Sequence, residues 1–275
     1  MKTFLFRNKL LTFALIFVAF QVLLAVLAPT LGFQDPYNQV MIQRMKPPSA
    51  INFLGTDQLG RDVLARIIYG YRTSLVTCLT AVGIALVIGG MLGMLSAFYR
   101  GWIDRIVMRF MDILFAFPIL LLAIGVIAVI GPSTWGAAIA IAIVYTPIFA
   151  RLLRGPSLVI VESEYVMGAR AIGASDARII FSHLLPNLAS VILVQVSLLL
   201  SAAILVEASL SFLGLGAQPP TPSLGLMLSE GRNFLLLSPW PATFSGFAIL
   251  FLSFGFNLLG DALRDTLDPR LRTQD

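Results

Sequence analysis

Few side chains in this sequence could carry out covalent chemistry. The 275-residue chain has one histidine, His183, and one cysteine, Cys78, which excludes an internal disulfide and leaves little for a zinc or transition-metal site. It has no Gly-Lys pair, and therefore no Walker A phosphate loop, and it lacks both Gly-x-Ser-x-Gly and His-Glu-x-x-His. We therefore expect no catalytic residue, no metal and no cofactor on this chain.

Glu207 is the one carboxylate that falls inside a predicted membrane span, the helix over 189–213. Such a residue is a functional hypothesis by default, because a charge within the bilayer is costly. Two interpretations are open. Glu207 either lines a translocation path or binds an amino group of a substrate, or it pairs with a neighbouring backbone group or arginine and fixes the packing near the outer gate. One carboxylate gives little support to a proton relay.

The composition is that of a membrane protein. Hydrophobic residues make up 58% of the chain and charged residues 12%, whereas a soluble domain has about 25% charged residues. The mean hydropathy is +0.90. These values exclude a soluble enzyme, a disordered chain and a disulfide scaffold. Basic residues beside membrane spans account for the net charge of +5, so no nucleic-acid partner is expected. We predict an all-α membrane protein.

Several runs without charged residues are long enough to cross a bilayer, which takes about 20 residues. The longest run is interrupted at 131–133, Gly-Pro-Ser, and is therefore interpreted as two spans. In another run, Gly89 and Gly93 form a Gly-x-x-x-Gly pair that suits close helix contact, either at an interface with a second subunit or within this chain. The six predicted helices cover 10–28, 73–98, 111–130, 134–152, 189–213 and 242–260.

The distribution of basic residues predicts that both termini are cytoplasmic. In that orientation 13 of the 19 Lys and Arg residues lie on cytoplasmic segments and six on outer ones. We divide the chain into 1–72, a first transmembrane helix with a periplasmic loop, and 73–275, a core transmembrane domain with a cytoplasmic loop at 153–188. The alternative for the first helix is a cleaved signal peptide, although its apolar core is longer than usual.

The cytoplasmic loop predicts two short helices separated by a glycine. Gly173 can adopt a positive φ and end the first helix. Ser175 can cap the second helix, with Asp176 in its first turn, where a negative charge suits the helix dipole. The loop either binds another protein surface or lies on the inner leaflet. The apolar and basic side chains available for a protein partner are Ile172, Ile179, Ile180, Phe181, Arg170 and Arg178.

This loop resembles the coupling loop, or EAA motif, of ABC importer membrane subunits. The Glu-Ala-Ala place is taken by 167–169, Met-Gly-Ala; Gly173 follows, and 184–186, Leu-Leu-Pro, closes the motif. Three positions depart from the family pattern: Met167 replaces Glu, Gly168 replaces Ala and His183 replaces Ile. The family loop inserts a short helix into a cleft of the ATPase. The resemblance assigns ATPase coupling to Met167, Gly168, Ala169, Arg170, Gly173, Ala174, Ser175, Asp176 and Pro186.

Other segments narrow the resemblance to the dipeptide/oligopeptide/nickel permease group, and to the C-type subunit of its two paired membrane subunits. The resemblance extends over roughly residues 4–270, and several distinct blocks occur in the right order. The blocks that are similar are 54–66, 68–75, 112–118, 207–225 and 261–270.

A charged cluster precedes the second predicted helix. Asp57, Arg61 and Asp62 either form part of an outer surface or gate that meets a substrate-binding protein, or serve as helix caps and local ion pairs. In the second interpretation Asp57 is a cap and Asp62 pairs with Arg66 four residues later.

The resemblance implies a permease subunit of an ATP-driven importer in the bacterial inner membrane, with the type I ABC permease fold and no enzyme activity of its own. The implied partners are a second homologous permease, two ATPase subunits that bind ATP and Mg, a substrate-binding protein and the lipid membrane. Peptides are the expected solute. The alternatives are nickel, glutathione or a similar solute, a proton-coupled secondary transporter, and a structural membrane protein without transport.

Overall fold

A computed structural model describes residues 9–30 and 32–267 of the chain. The ends, 1–8 and 268–275, lie outside the described residues, and so does the last part of the 261–270 block. The helices of the described part are α1 (Lys9–Leu27), α2 (Val63–Tyr99), α3 (Gly101–Phe115), α4 (Ile119–Ile130), α5 (Thr134–Val161), α6 (Glu164–Ala171), α7 (Asp176–Ile179), α8 (Leu185–Phe212), α9 (Leu224–Arg232) and α10 (Trp240–Leu267).

Among the described residues, five helical segments are long and apolar enough to cross a membrane: α1, α2, α5, α10 and the continuous stretch Asp176–Phe212. That stretch joins α7 to α8 through a π-helical turn at Ile180–Leu184. Helices α3 and α4 pass the same test only as a pair, which gives a sixth candidate span. The predicted all-α membrane architecture with about six spans is therefore confirmed.

The third predicted helix is wrong as a continuous element. The predicted span 111–130 is divided between α3 and α4, whose axes differ by 95°. Pro118 stands at the N-cap of α4. Proline has no backbone N–H, and it disfavours helical geometry in the preceding residue, here Phe117. The break consequently falls at the proline, and α3 points away from the direction of α4.

Helix α2 also begins earlier than predicted, at Val63 rather than at residue 73. The Asp62 carboxylate accepts a hydrogen bond from the backbone N–H of Ala65 at 2.8 Å and so caps the helix. With 37 residues, α2 is about 55 Å long. It therefore extends beyond the hydrocarbon core at one end or both.

The close pairing of α2 with α5 organises the bundle. A β-carbon at Gly89 would lie 2.3 Å from the carbonyl oxygen of Thr146, and one at Gly93 would lie 2.3 Å from that of Ala150. Any larger residue would push the two helices apart. The close contact predicted for the Gly-x-x-x-Gly pair is therefore confirmed, and its partner is α5.

Helix α1 packs against the last helix, α10. The Gln21 amide, buried in this contact, donates a hydrogen bond to the carbonyl oxygen of Phe251 at 2.8 Å. The rings of Phe17 and Phe254 meet edge to face. Removal of α1 would uncover the apolar surface of α10 that it covers, so the packing favours retention of α1 over cleavage as a signal peptide.

Candidate functional site

The 164–187 loop has the two-helix form that its sequence predicts. Helix α6 ends at Ala171, Gly173 has φ +84°, and the Ser175 hydroxyl accepts a hydrogen bond from the backbone N–H of Arg178. The positive φ reverses the chain between α6 and α7 without steric strain, because glycine has no β-carbon. Pro186 directly follows the π-helical turn at Ile180–Leu184, and the helix continues past it although proline has no backbone N–H to donate.

One face of the loop packs against the bundle, and the other face is exposed. Val166, Ile179, Ile180 and Leu184 are buried in an apolar cluster with residues of α2, α5 and α8. Ile179 and Ile180 were among the side chains expected to bind a partner groove, and that expectation is wrong for these two. Their burial instead holds the loop onto the bundle. Helix α7 also continues directly into the span that follows.

The outward face holds most of the residues assigned to ATPase coupling. Ile172 is 87% exposed, and Phe181 also projects outward. Of the assigned residues, Ala169 and Ala174 are half-buried and the others are exposed. The exposed ones are Met167, Gly168, Arg170, Gly173, Ser175, Asp176 and Pro186.

Two contacts tie the loop to the last turn of α2, and a third joins the residue after α2 to Glu162 at the C-cap of α5. The guanidinium of Arg170 lies 4.6 Å from the ring centroid of Phe98, and the Tyr99 hydroxyl donates to Asp176 at 3.1 Å. Arg100 pairs with Glu162 at 2.7 Å. A displacement of α7 would therefore act on α2 through the Tyr99–Asp176 hydrogen bond and on α8 through a continuous helix.

A second charged site lies at the opposite end of α2. Arg61 Nε contacts Asp57 Oδ2 at 2.6 Å, and Arg66 Nη1 contacts the same oxygen at 3.2 Å. Arg61 also reaches Glu230 of α9 at 3.2 Å. Asp57, Arg61 and Arg66 are buried, and Arg66 is only 1% exposed. We call Asp57, Arg61, Arg66 and Glu230 the outer ion cluster.

The outer ion cluster differs from the local pairs that the sequence suggests. Asp62 does not pair with Arg66; it caps α2, and its other oxygen has no hydrogen-bond partner in the described part of the chain. Burial and the nearby Asp57 raise the pKa of Asp62, against the lowering effect of the Ala65 N–H. Glu230 was not predicted, since its sequence position gives no sign that it meets Arg61.

Glu207 is enclosed by hydroxyl groups. Its Oε2 accepts a hydrogen bond from Ser74 at 2.7 Å, and its Oε1 accepts from Ser211 at 2.7 Å and from Ser223 at 3.4 Å. Ser74 belongs to α2, Ser211 to α8, and Ser223 is the N-cap residue of α9. The carboxylate thus joins three elements, and at 1% exposure its surroundings favour the packing interpretation over the path-lining one. Its partners are serine hydroxyls, however, and not the backbone group or arginine that was expected.

We expect Glu207→Gln to impair uptake several-fold while the complex still assembles. The amide replaces one acceptor oxygen with a donor group, so the three hydrogen bonds at the junction of α2, α8 and α9 must be rearranged; each contributes about 0.5–1.5 kcal/mol. The measurement is solute uptake together with co-purification of the ATPase subunits. Asp265→Asn, an exposed acid-to-amide change on α10, is the control. Unchanged uptake, or loss of the ATPases, would contradict this prediction.

Comparison with known proteins gives the family. The profile described as "Binding-protein-dependent transport system inner membrane component" matches residues 89–273. The chain is 45% identical to the dipeptide transport system permease protein DppC of Alkalihalophilus pseudofirmus, over 97% of this chain and 88% of that protein. It is 44% identical to the glutathione transport system permease protein GsiD of Pectobacterium atrosepticum, over 97% of this chain and 89% of that protein.

A third relative and a solved structure agree with this assignment. The chain is 42% identical to a probable D,D-dipeptide transport system permease protein, DdpC, of Escherichia coli, over 93% of this chain and 86% of that protein. The fold resembles a chain of the MetNI methionine ABC transporter in an inward-facing conformation, with a TM-score of 0.59 and 16% identity. That match covers 74% of this chain and 97% of the other. The chain belongs to the family of inner-membrane components of binding-protein-dependent transport systems.

Proposed function

We propose that this chain is a permease subunit of an ATP-driven importer and that it forms a path for peptides with a second, homologous permease. The observation that carries the proposal is the loop over 164–187, which has an exposed outer face and is continuous with a membrane span. The names of the relatives, permease proteins for dipeptides and for glutathione, support a peptide or peptide-like solute. Nickel or a similar solute remains an alternative.

The proposed partners follow from the family and from the open face of the loop. They are a second permease, two ATPase subunits that bind ATP and Mg, and an external substrate-binding protein. Met167, Gly168, Ala169 and the other exposed loop residues contact the ATPase in this proposal. Asp57 and Arg61 support the outer end of the path through the outer ion cluster, Asp62 through the cap of α2, and Glu207 through its hydrogen bonds to three serines.

The proposed orientation has both termini and the 153–188 loop in the cytoplasm, and segment 29–62 outside. The chain is divided in this proposal into 1–72, with the first transmembrane helix and the outer loop, and 73–275, the core transmembrane domain. Helix α2 runs continuously across the boundary. A proton-coupled transporter is the second candidate function. It gains little from Glu207, because three hydroxyls already occupy that carboxylate.

Cysteine labelling tests the orientation and the loop contact together. The native Cys78 is buried, so Ile172→Cys and Ile42→Cys each introduce one exposed thiol, since both positions are highly exposed. On intact cells we expect a membrane-impermeant maleimide to label residue 42 and not residue 172. On the purified protein it labels both, and bound ATPase subunits protect residue 172 alone. Labelling of residue 172 from outside would contradict the orientation.

Reconstituted uptake tests the function itself. The permease is co-expressed with the proposed second permease and ATPase subunits. The complex is placed in vesicles with ATP inside and the binding protein outside. We expect uptake of a labelled dipeptide that needs hydrolysable ATP and continues when the protonmotive force is collapsed. Preference for glutathione over the dipeptide would correct the solute. Uptake driven by a proton gradient without ATP would contradict the proposal.

A further inference from the structure

Helix α3 presents an apolar edge that no described residue covers. Four large side chains, spaced three or four residues apart and therefore on one face, are each more than half exposed. Trp102 has the highest exposure of them, at 69%. The four are Trp102, Ile106, Phe110 and Ile113. On the other side of the helix Met111 is buried, so α3 is fixed to the bundle by one face only.

Both acidic residues of α3 are neutralised by the bundle. Asp104 accepts hydrogen bonds from Nε and Nη2 of Arg154, each at 2.6 Å, and Asp112 accepts from Arg151 at 2.6 Å. Arg151 and Arg154 belong to α5. Each carboxylate of α3 is therefore paired with an arginine, and the polar face of α3 is directed toward α5.

The two basic residues of α3 remain available. Arg105 and Arg109 are exposed, and neither has an ion pair or hydrogen bond within the described residues. They are four residues apart and therefore lie together on one side of the helix, next to the apolar edge. The free surface of α3 thus combines a strip of aromatic and aliphatic side chains with two uncompensated positive charges.

Two features of its position suit α3 to a membrane interface. Its first residues adjoin the end of α2 that contacts the 164–187 loop, because the Ser96 hydroxyl donates to Asp104. Its axis makes 95° with that of α4, so α3 runs across the direction of the helix that follows. An amphipathic helix at this angle fits the plane of the interface, with its apolar edge among the acyl chains, while α4 enters the bilayer as the remaining part of the bent sixth span.

We propose that α3 is an interfacial helix that binds anionic phospholipids, with Arg105 and Arg109 contacting their headgroup phosphates. Charge complementarity favours this occupant, since the unpaired charge of the helix is positive and the phosphate surface of a leaflet with anionic lipid is negative. Trp102 is typical of residues placed at the headgroup level. The inference goes beyond the transport function and holds whichever solute is carried.

Lipid titration of the purified full-length protein, followed by native mass spectrometry, tests the proposal. The probes are short-chain phosphatidylglycerol and phosphatidylcholine. We expect tighter binding of phosphatidylglycerol, and a loss of roughly fivefold for each arginine removed in Arg105→Gln and in the double variant with Arg109→Gln, as one basic residue near an anionic surface predicts. Arg264→Gln, an exposed arginine on α10, is the control and should keep the preference.

Equal binding of the two lipids by the unaltered protein, or an unchanged preference in the double variant, would overturn the proposal. A spin label on Ile106→Cys gives an independent measurement that needs no loss of charge. We expect the label to be relaxed by lipid-soluble oxygen and shielded from a water-soluble nickel chelate. Exposure to the chelate, or cross-linking of residue 106 to the second permease, would overturn the assignment of this face to lipid.

Discussion

Gly173→Pro is expected to uncouple ATP hydrolysis from uptake, with a loss of transport of at least about tenfold. Proline fixes φ near −65°, whereas Gly173 has φ +84°, so the substitution cannot keep the turn between α6 and α7. It also removes the N–H that donates to the carbonyl oxygen of Arg170 at 3.0 Å. The outward face of the loop would then no longer present α6 and α7 in one fixed arrangement.

A graded series separates conformation from bulk at this position. No atom lies within 4 Å of a β-carbon built on Gly173, so Gly173→Ala meets only the cost of a positive φ, roughly 1–2 kcal/mol. We expect its effect to fall between those of the natural residue and proline. Gly155→Ala, at an exposed site on α5 with equally open space, is the control. Uptake, ATPase rate and membrane abundance are measured together; normal uptake by Gly173→Pro at normal abundance would refute the coupling argument.

Asp57→Asn is expected to cause the largest loss of stability among the conservative changes considered, about 3–5 kcal/mol. Asp57 and Glu230 balance Arg61 and Arg66 in the outer ion cluster. The amide keeps the shape of the side chain and removes its charge. A buried positive charge is then left without a counterion, and that is far more costly than losing an exposed ion pair.

The matched control is Glu162→Gln, which removes the exposed pair with Arg100. Its side chains are 65% and 45% exposed, and such pairs contribute about 0–1 kcal/mol. Thermal unfolding of the purified protein in detergent compares the two variants, and Asp57→Asn combined with Arg66→Gln restores the charge balance. A large loss for Asp57→Asn, partly recovered in the double variant, supports the ion-cluster account. Equal losses for Asp57→Asn and Glu162→Gln would contradict it.

The sequence predicts features that depend on local pattern and composition. Long apolar runs place most of the spans, because only a helix satisfies its own backbone in a bilayer. Gly173 and Ser175 predict the turn and the cap in the loop, since each acts on its immediate neighbours. The Gly89 and Gly93 pair predicts a close helix contact, although only the structure identifies α5 as the partner.

What the sequence leaves undetermined depends on distant contacts. Glu230 meets Arg61 across most of the chain, and the serines around Glu207 come from three elements. The inward position of Ile179 could not be predicted either, because helical periodicity does not say which apolar face meets the bundle. The proline itself is a local signal for the break at Pro118. The long apolar run around it nevertheless favoured the prediction of one continuous helix.

Isolation of the native complex tests the central claim most directly. The tagged chain is extracted from its own membrane in a mild detergent, and the accompanying proteins are identified and counted by mass spectrometry. We predict one homologous permease and two ATPase subunits for each copy of this chain, with ATP hydrolysis by the isolated complex. Recovery of this chain alone in several mild detergents, with uptake that follows the proton gradient, would contradict the proposed function.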